Sequence, residues 1–130
     1  MNRVIEIHDS TLTSLCVNED LAELQFSSVY IHQSEGEPGV DAGTGWVQEA
    51  YLKIGHAKII GSFSDLPCDM GDGHISLDGI LSDNMNPVPL DHQGAVELRL
   101  EGAGEVVSIT GTSARLELVG EATYLEEFKP

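Results

Sequence analysis

From Trp46 the chain keeps a strict two-residue rhythm. Trp46, Gln48, Ala50, Leu52 and Ile54 fall on one side, and Val47, Glu49, Tyr51 and Lys53 on the other. Side chains alternate faces along a strand, so this segment presents one mostly apolar face and one amphipathic face. A helix fits worse, because Glu49 and Lys53 would share a face with Trp46 and Ala50. The same alternation recurs at Ile5 and Ile7, at Val96, Leu98 and Leu100, at Val107 and Ile109, and at Ala114, Leu116 and Leu118. No segment sustains a helical period, and turn signals return at about ten-residue spacing, the pattern of all-β sandwiches and barrels. The chain therefore predicts a single all-β domain over 1–130. It is expected to be an antiparallel β-sandwich or flattened β-barrel of about nine or ten strands, with one face of each sheet wet. At most one short helical turn is expected, near 66–71.

Along the chain, residues 4–8 read as a strand and His8-Asp9-Ser10 as a turn-like break. Leu12 to Val17 reads as the next strand. Asn18-Glu19-Asp20 is turn-prone, so the N-terminal third predicts two hairpins in series. Leu24 and Phe26 alternate in one parity, Val29 and Ile31 in the other. Either a bulge at Ser27-Ser28 adds the extra residue, or that strand is covered on both faces. A long connection, 34–45, carries Gly36, Pro38, Gly39, Gly43 and Gly45. Connections of about a dozen residues without structure are uncommon in compact domains, and are either functional or mobile. Later, 57–63 resumes a strand, 64–73 is irregular and 74–81 forms a short strand. The segment 82–94 is irregular again and contains Asn86-Pro87-Val88-Pro89-Leu90. Its prolines cannot donate to a ladder, which makes it an edge or a connection, and its X-Pro bonds are the natural places for a cis peptide.

Charge narrows the function classes. Twenty-two acidic residues face six basic ones, a net charge of -16. Nucleic-acid binding of the sequence-independent kind runs on Lys and Arg, and anionic membrane surfaces attract the same residues, so both are disfavoured. Acidity also serves solubility alone. Glu6 interrupts any secretory apolar core and no long apolar run occurs, so a soluble cytoplasmic protein is expected. Cys16 and Cys68 lack a metal or redox spacing and read as buried thiols in a reducing compartment.

Four constellations could carry chemistry. His8, His32, His56, His74 and His92 show no zinc spacing, and no metal site or cofactor is expected from them. His8-Asp9-Ser10 resembles pieces of a catalytic triad, but triads assemble in space, and neighbours in a turn point apart; no catalytic residue is assigned. Asp65, Asp69, Asp72 and Asp78 supply hard oxygen donors near a flexible segment, a weak calcium candidate without the EF-hand pattern. Tyr30, His32, Glu35, Asp41 and Trp46 flank the glycine-rich connection and form the candidate ligand-binding patch, since aromatic residues dominate recognition sites. The competing reading of Trp46 is a core anchor.

The opening strand ending in His8-Asp9-Ser10, then Leu12 and the run to Phe26, resembles the start of several small bacterial β-rich proteins, some of them immunity proteins of toxin systems. Tyr30-Ile31-His32-Gln33-Ser34 with Pro38-Gly39, Asn86-Pro87-Val88-Pro89-Leu90 and Tyr124-Leu125-Glu126-Glu127-Phe128 resemble an uncharacterised family of small acidic bacterial β-rich proteins. The resemblance implies a bacterial source and brings no catalytic residues. Together with the charge it points to a non-catalytic binder of a basic protein partner. The alternatives are a ligand-binding or enzymatic barrel with its site near 33–46, and a homodimer joined through faces bearing Val47 and Tyr51 or Val106 and Val119.

Overall fold

The computed structural model describes residues 2–83 and 85–129, without the side chains of 83 and 85–87. Ten strands follow in chain order: β1 Asn2–Asn18, β2 Leu21–Ser34, β3 Gly43–Gly55, β4 Lys58–Ile60, β5 Cys68–Asp69, β6 Asp72–Leu77, β7 Ile80–Asp83, β8 Met85–Val88, β9 Asp91–Gly102 and β10 Glu105–Phe128. They make one sheet in the order β5-β1-β2-β3-β10-β9-β6-β7, with β4 also on β10 and β8 also on β1. Every pairing is antiparallel. The all-β expectation holds, and there is no helix among the described residues.

The sheet curls around one core. Side chains from β1, β2, β3, β6, β9 and β10 line a common apolar cavity of about 20 Å³, an arrangement that a flat sheet cannot produce. Two glycines let the sheet's distant parts meet. A Cβ on Gly73 would lie 2.6 Å from Ile7 Cγ2, so β6 reaches β1 only because the side chain is missing. A Cβ on Gly102 would lie within 2.9 Å of Met70, Asp69 and Cys68 atoms, so the segment around β5 can cross the end of β9. No ladder joins β7 to β8 or β5 among the described residues, so the curled sheet is not closed into a barrel, an arrangement compatible with a sandwich or a flattened barrel.

The alternating residues turn inward as the rhythm requires. Ala50, Leu52 and Ile54 are buried, as are Val96, Leu98 and Leu100. Both possibilities for residues 24–32 are realised. Between the pairs Phe26↔Ala50 and Val29↔Gln48, β2 holds one residue more than β3, a bulge at Ser27-Ser28. Beyond it, neighbouring Ile31 and His32 are both buried, so the end of β2 is covered on both faces.

Several expectations are corrected. His8-Asp9-Ser10 does not reverse the chain; it is a wide bulge inside β1, between the pairs Glu6↔Tyr30 and Thr11↔Ser28. Asp9 takes a positive φ of 70° there. Ser10 Oγ donates to Glu6 O at 2.7 Å and accepts from Tyr30 N at 3.4 Å. The bulge in turn exchanges backbone bonds with 70: Asp9 N–H donates to Met70 O and Met70 N–H to Ser10 O. Thus the N-terminal third is one long hairpin, turning at Glu19-Asp20. The expected helical turn near 66–71 is β5, laid against that bulge.

The single strand expected at 74–81 is a hairpin, β6–β7, whose two-residue turn is Asp78-Gly79 with both φ values positive. Such a turn matches the twist of the flanking strands. The strand expected over 57–63 is confined to β4, because Gly61 takes a φ of 94° against β10. Residues 82–94 are largely ordered as β7, β8 and the start of β9. The proline-bearing β8 sits at an edge of β1, and Val88–Pro89 is cis, as is Leu66–Pro67. Cys16 is exposed rather than buried and Cys68 intermediate, and both are free thiols.

Candidate functional site

The connection after β2 is shorter and more ordered than its composition suggests. It spans 35–42 and is tied at both ends by buried Ser34, whose Oγ donates to Ala42 O at 2.7 Å and accepts from Gly36 N at 3.1 Å. Asn2 Nδ2 donates to Gly36 O. Within the loop, Asp41 Oδ2 accepts from Glu37 N at 2.6 Å, and the N–H groups of Val40 and Asp41 donate to Glu37 O. Short polar side chains that satisfy nearby N–H groups stabilise such turns. Asp41 therefore holds the loop, and Val40 is left exposed at its tip.

Beneath the loop lies His32. It is 8% exposed, and its Nε2 sits 2.9 Å from Glu6 Oε2 on the adjacent strand. Its ring centroid lies 4.8 Å from that of Tyr30 and 5.3 Å from that of Phe128. No described protein group reaches its Nδ1, which is buried. The Tyr30 hydroxyl donates to Glu126, and Gly45 lies under the ring where any Cβ would collide with it. His32, Gly39, Val40, Asp41, Phe128 and Lys129 line a pocket of about 180 Å³.

Burial first, then the Glu126 hydrogen bond and the charges of Glu126, Glu6 and Asp9, push the Tyr30 phenol well above its ordinary 10.0. The folded state thus holds this proton more tightly than the unfolded chain. The contribution is complete below pH 10.0 and is lost as pH rises toward the folded value, because only the unfolded chain ionises in that window. Tyr30→Phe is accordingly expected to flatten the alkaline fall in stability. Melting temperatures of both proteins from neutral pH to above 10 check this, and parallel alkaline limbs would contradict it.

Of the five residues expected to form the patch, the structure brings together Tyr30, His32 and Asp41. Glu35 is exposed at the loop's start and does not line the pocket. Trp46 pairs with Ile31, one residue out of phase with Tyr30 and His32, and so lies on the opposite face of the sheet. There it packs on the core, its centroid 5.3 Å from that of Tyr124, and borders a separate depression of about 130 Å³ with Arg3, Ile31, Gln33 and Ala122. Glu6, Glu126, Phe128 and Lys129 were not anticipated, because they arrive from strands remote in sequence.

The remaining constellations are dispersed. Asp65, Asp69, Asp72 and Asp78 do not assemble, and among the described residues no group of three or more His, Cys, Asp or Glu could hold a metal ion. Asp69 accepts from Thr11, Asp72 from the N–H of Gly73, and Asp78 from the N–H of Ala95. In His8-Asp9-Ser10, His8 Nδ1 lies 3.3 Å from Asp9, while the Ser10 hydroxyl is committed to backbone groups elsewhere. No described helix is long and apolar enough to cross a membrane.

A second surface feature stands beside the pocket. The ladder between β9 and β10 ends at the pair Asp91↔Arg115, after which Leu116 N–H donates to Leu90 O. Beyond this, β10 pairs only with β3 among the described residues. Val119, Tyr124 and Leu125 are exposed there, as are Glu121, Glu126 and Glu127. Comparison with known proteins finds no family model, no curated protein and no solved structure that matches this chain.

Proposed function

We propose that the protein acts by binding a basic protein partner, without chemistry of its own, through the acidic far end of β10. The observation that carries this reading is a strand end, unladdered on one edge among the described residues, along which Val119, Tyr124 and Leu125 are exposed in the same stretch as exposed Glu121, Glu126 and Glu127. Interfaces place such anchors centrally and charges around them. Little basic charge is available within the protein to offset these carboxylates: six basic residues serve 22 acids, and Lys53 and Arg115 both lie against Glu117. A field of one sign speeds the encounter with an oppositely charged protein and makes it salt-sensitive.

A second copy fits this surface less well. A two-fold contact sets the same surface against itself, and on so acidic a strand end it would bring carboxylates toward their own counterparts.

The test is affinity capture with the whole chain and with a Tyr124→Ser/Leu125→Ser variant, at low and raised salt. The expected result is a basic protein retained at low salt, released as salt rises, and held less by the variant. Equal retention by the variant, or no basic protein under either condition, overturns the reading.

A further inference from the structure

We infer that the basic partner is held by strand addition: an extended segment of it, with Lys or Arg at alternate positions, lies along the open edge of β10 and continues the sheet. The inference rests on the binding proposed above for this strand end, and adds what the partner presents there.

Register identifies the backbone groups that face the edge. In an antiparallel ladder the N–H and C=O of one residue point to the same side and successive residues alternate. Opposite residues either face each other or both face away. Leu116 N–H donates to Leu90 O, so Leu116 faces the side on which β9 runs. Leu118 faces that side too, while Glu117 and Val119 face their partners Tyr51 and Glu49 on β3. β9 begins at Asp91, and β8 before it pairs with β1, so nothing among the described residues ladders with Leu118 from that side. Beyond a bulge in β10, Tyr124 lies opposite Trp46. The stretch of β3 from Glu49 to Trp46 alternates without interruption, so Trp46 faces β2 and Tyr124 again faces the open edge.

Residues 119–127 are exposed without a break. A strand covered on one face would show alternating exposure, so neither face of this stretch is covered along its length. Open edges are templates for pairing, and charges and bulges guard them. β10 carries two bulges here, together with Glu121, Glu126 and Glu127. A guard of one sign is selective. It repels an acidic strand, a second copy of this one included, and attracts a strand that carries Lys or Arg. Main-chain hydrogen bonds to Leu118 and Tyr124 then supply affinity, and the glutamates select the side chains.

The test is NMR titration of the whole chain with a capped, alternating lysine–valine heptapeptide, following amide hydrogen exchange. Two controls are the same peptide N-methylated at every residue, which keeps its charge but has no N–H to donate, and the glutamate–valine analogue. The lysine peptide is expected to bind saturably and to slow exchange at both Leu118 and Tyr124. The N-methylated peptide should bind about tenfold more weakly or worse, having lost its main-chain donors, and the glutamate peptide should not bind. Glu121→Lys/Glu127→Lys, at two exposed positions, should weaken the lysine peptide by about fivefold or more. Binding at β10 without slower exchange at both amides, or equal binding of the N-methylated peptide, overturns strand addition and leaves a basic partner standing. No binding of the lysine peptide at β10, or unchanged affinity in the charge-reversed variant, overturns it as well, and affinity capture then decides separately whether a basic partner binds at all.

Discussion

Replacing Leu98 with alanine is expected to destabilise the protein by about 2–5 kcal/mol, the cost of lost burial plus the cavity left behind. Leu98 is 1% exposed and lines the small internal cavity with Ile75, Leu100, Leu52 and Phe26. Those neighbours come from four different strands, so no single element can shift inward to refill the space. Against a total stability of roughly 5–15 kcal/mol this is a large share. Urea unfolding should show a lower midpoint with an unchanged slope, the mark of altered stability rather than altered compactness. Leu98→Met, which keeps the volume, should cost less than about 1.5 kcal/mol. Equal losses for the two variants would show that burial at this position is not what matters.

The second large effect belongs to Ser10. Its side chain is buried, and its hydroxyl joins Glu6 O to Tyr30 N across the widest bulge in the sheet. Ser10→Ala removes the donor and acceptor while leaving both backbone groups in place. The expected loss is about 1–3 kcal/mol, that of leaving a buried polar group unsatisfied. Ser10→Thr retains the hydroxyl and should lose less if the added methyl is accommodated. The loss should also be local in hydrogen exchange. Amides of β5 and of Met70, which bond to the bulge, should exchange faster in Ser10→Ala than those of β9. Uniform acceleration across both would mean that the bulge has no separate role.

Much of the fold was legible because its dominant cue is local. The change of parity between Phe26 and Val29 located a bulge, and the alternation of Val96, Leu98 and Leu100 located the buried face of β9. The errors arose where the same residue types serve two purposes. Asp and Ser favour turns because their side chains bond nearby backbone groups, and the same bonds stabilise a bulge in an uninterrupted strand. His8-Asp9-Ser10 does the latter. Asp78-Gly79 carried a strong hairpin signal, and it was masked by the short apolar run on either side of it.

The candidate site was only half legible. Tyr30, His32 and Asp41 lie near one another along the chain. The Glu6–His32 contact depends on the register of β1 on β2, and that register depends on how many residues the bulge absorbs. Phe128 and Lys129 depend on the bulges that shift β10 along β3 between Val119 and Thr123 and between Tyr124 and Glu126. A one-residue slip would turn those side chains to the other face. Trp46 shows the opposite failure: it is near the loop in sequence, but the pleat carries it to the far side of the sheet.

The position of β10 in the sheet also bears on how the protein acquires its structure. It lies between β3 and β9, C-terminal to both. The hairpins β1–β2, β6–β7 and β9–β10 can form from neighbouring segments, but the ladder that joins the two halves of the sheet forms only when β10 pairs with β3 across about half the chain. Non-local pairing of this kind is paid for in loop-closure entropy before contacts reward it, which places folding in the slow, millisecond-to-second range. Until that step, the edge of β3 is open to strands of other molecules, so refolding yield should fall as protein concentration rises.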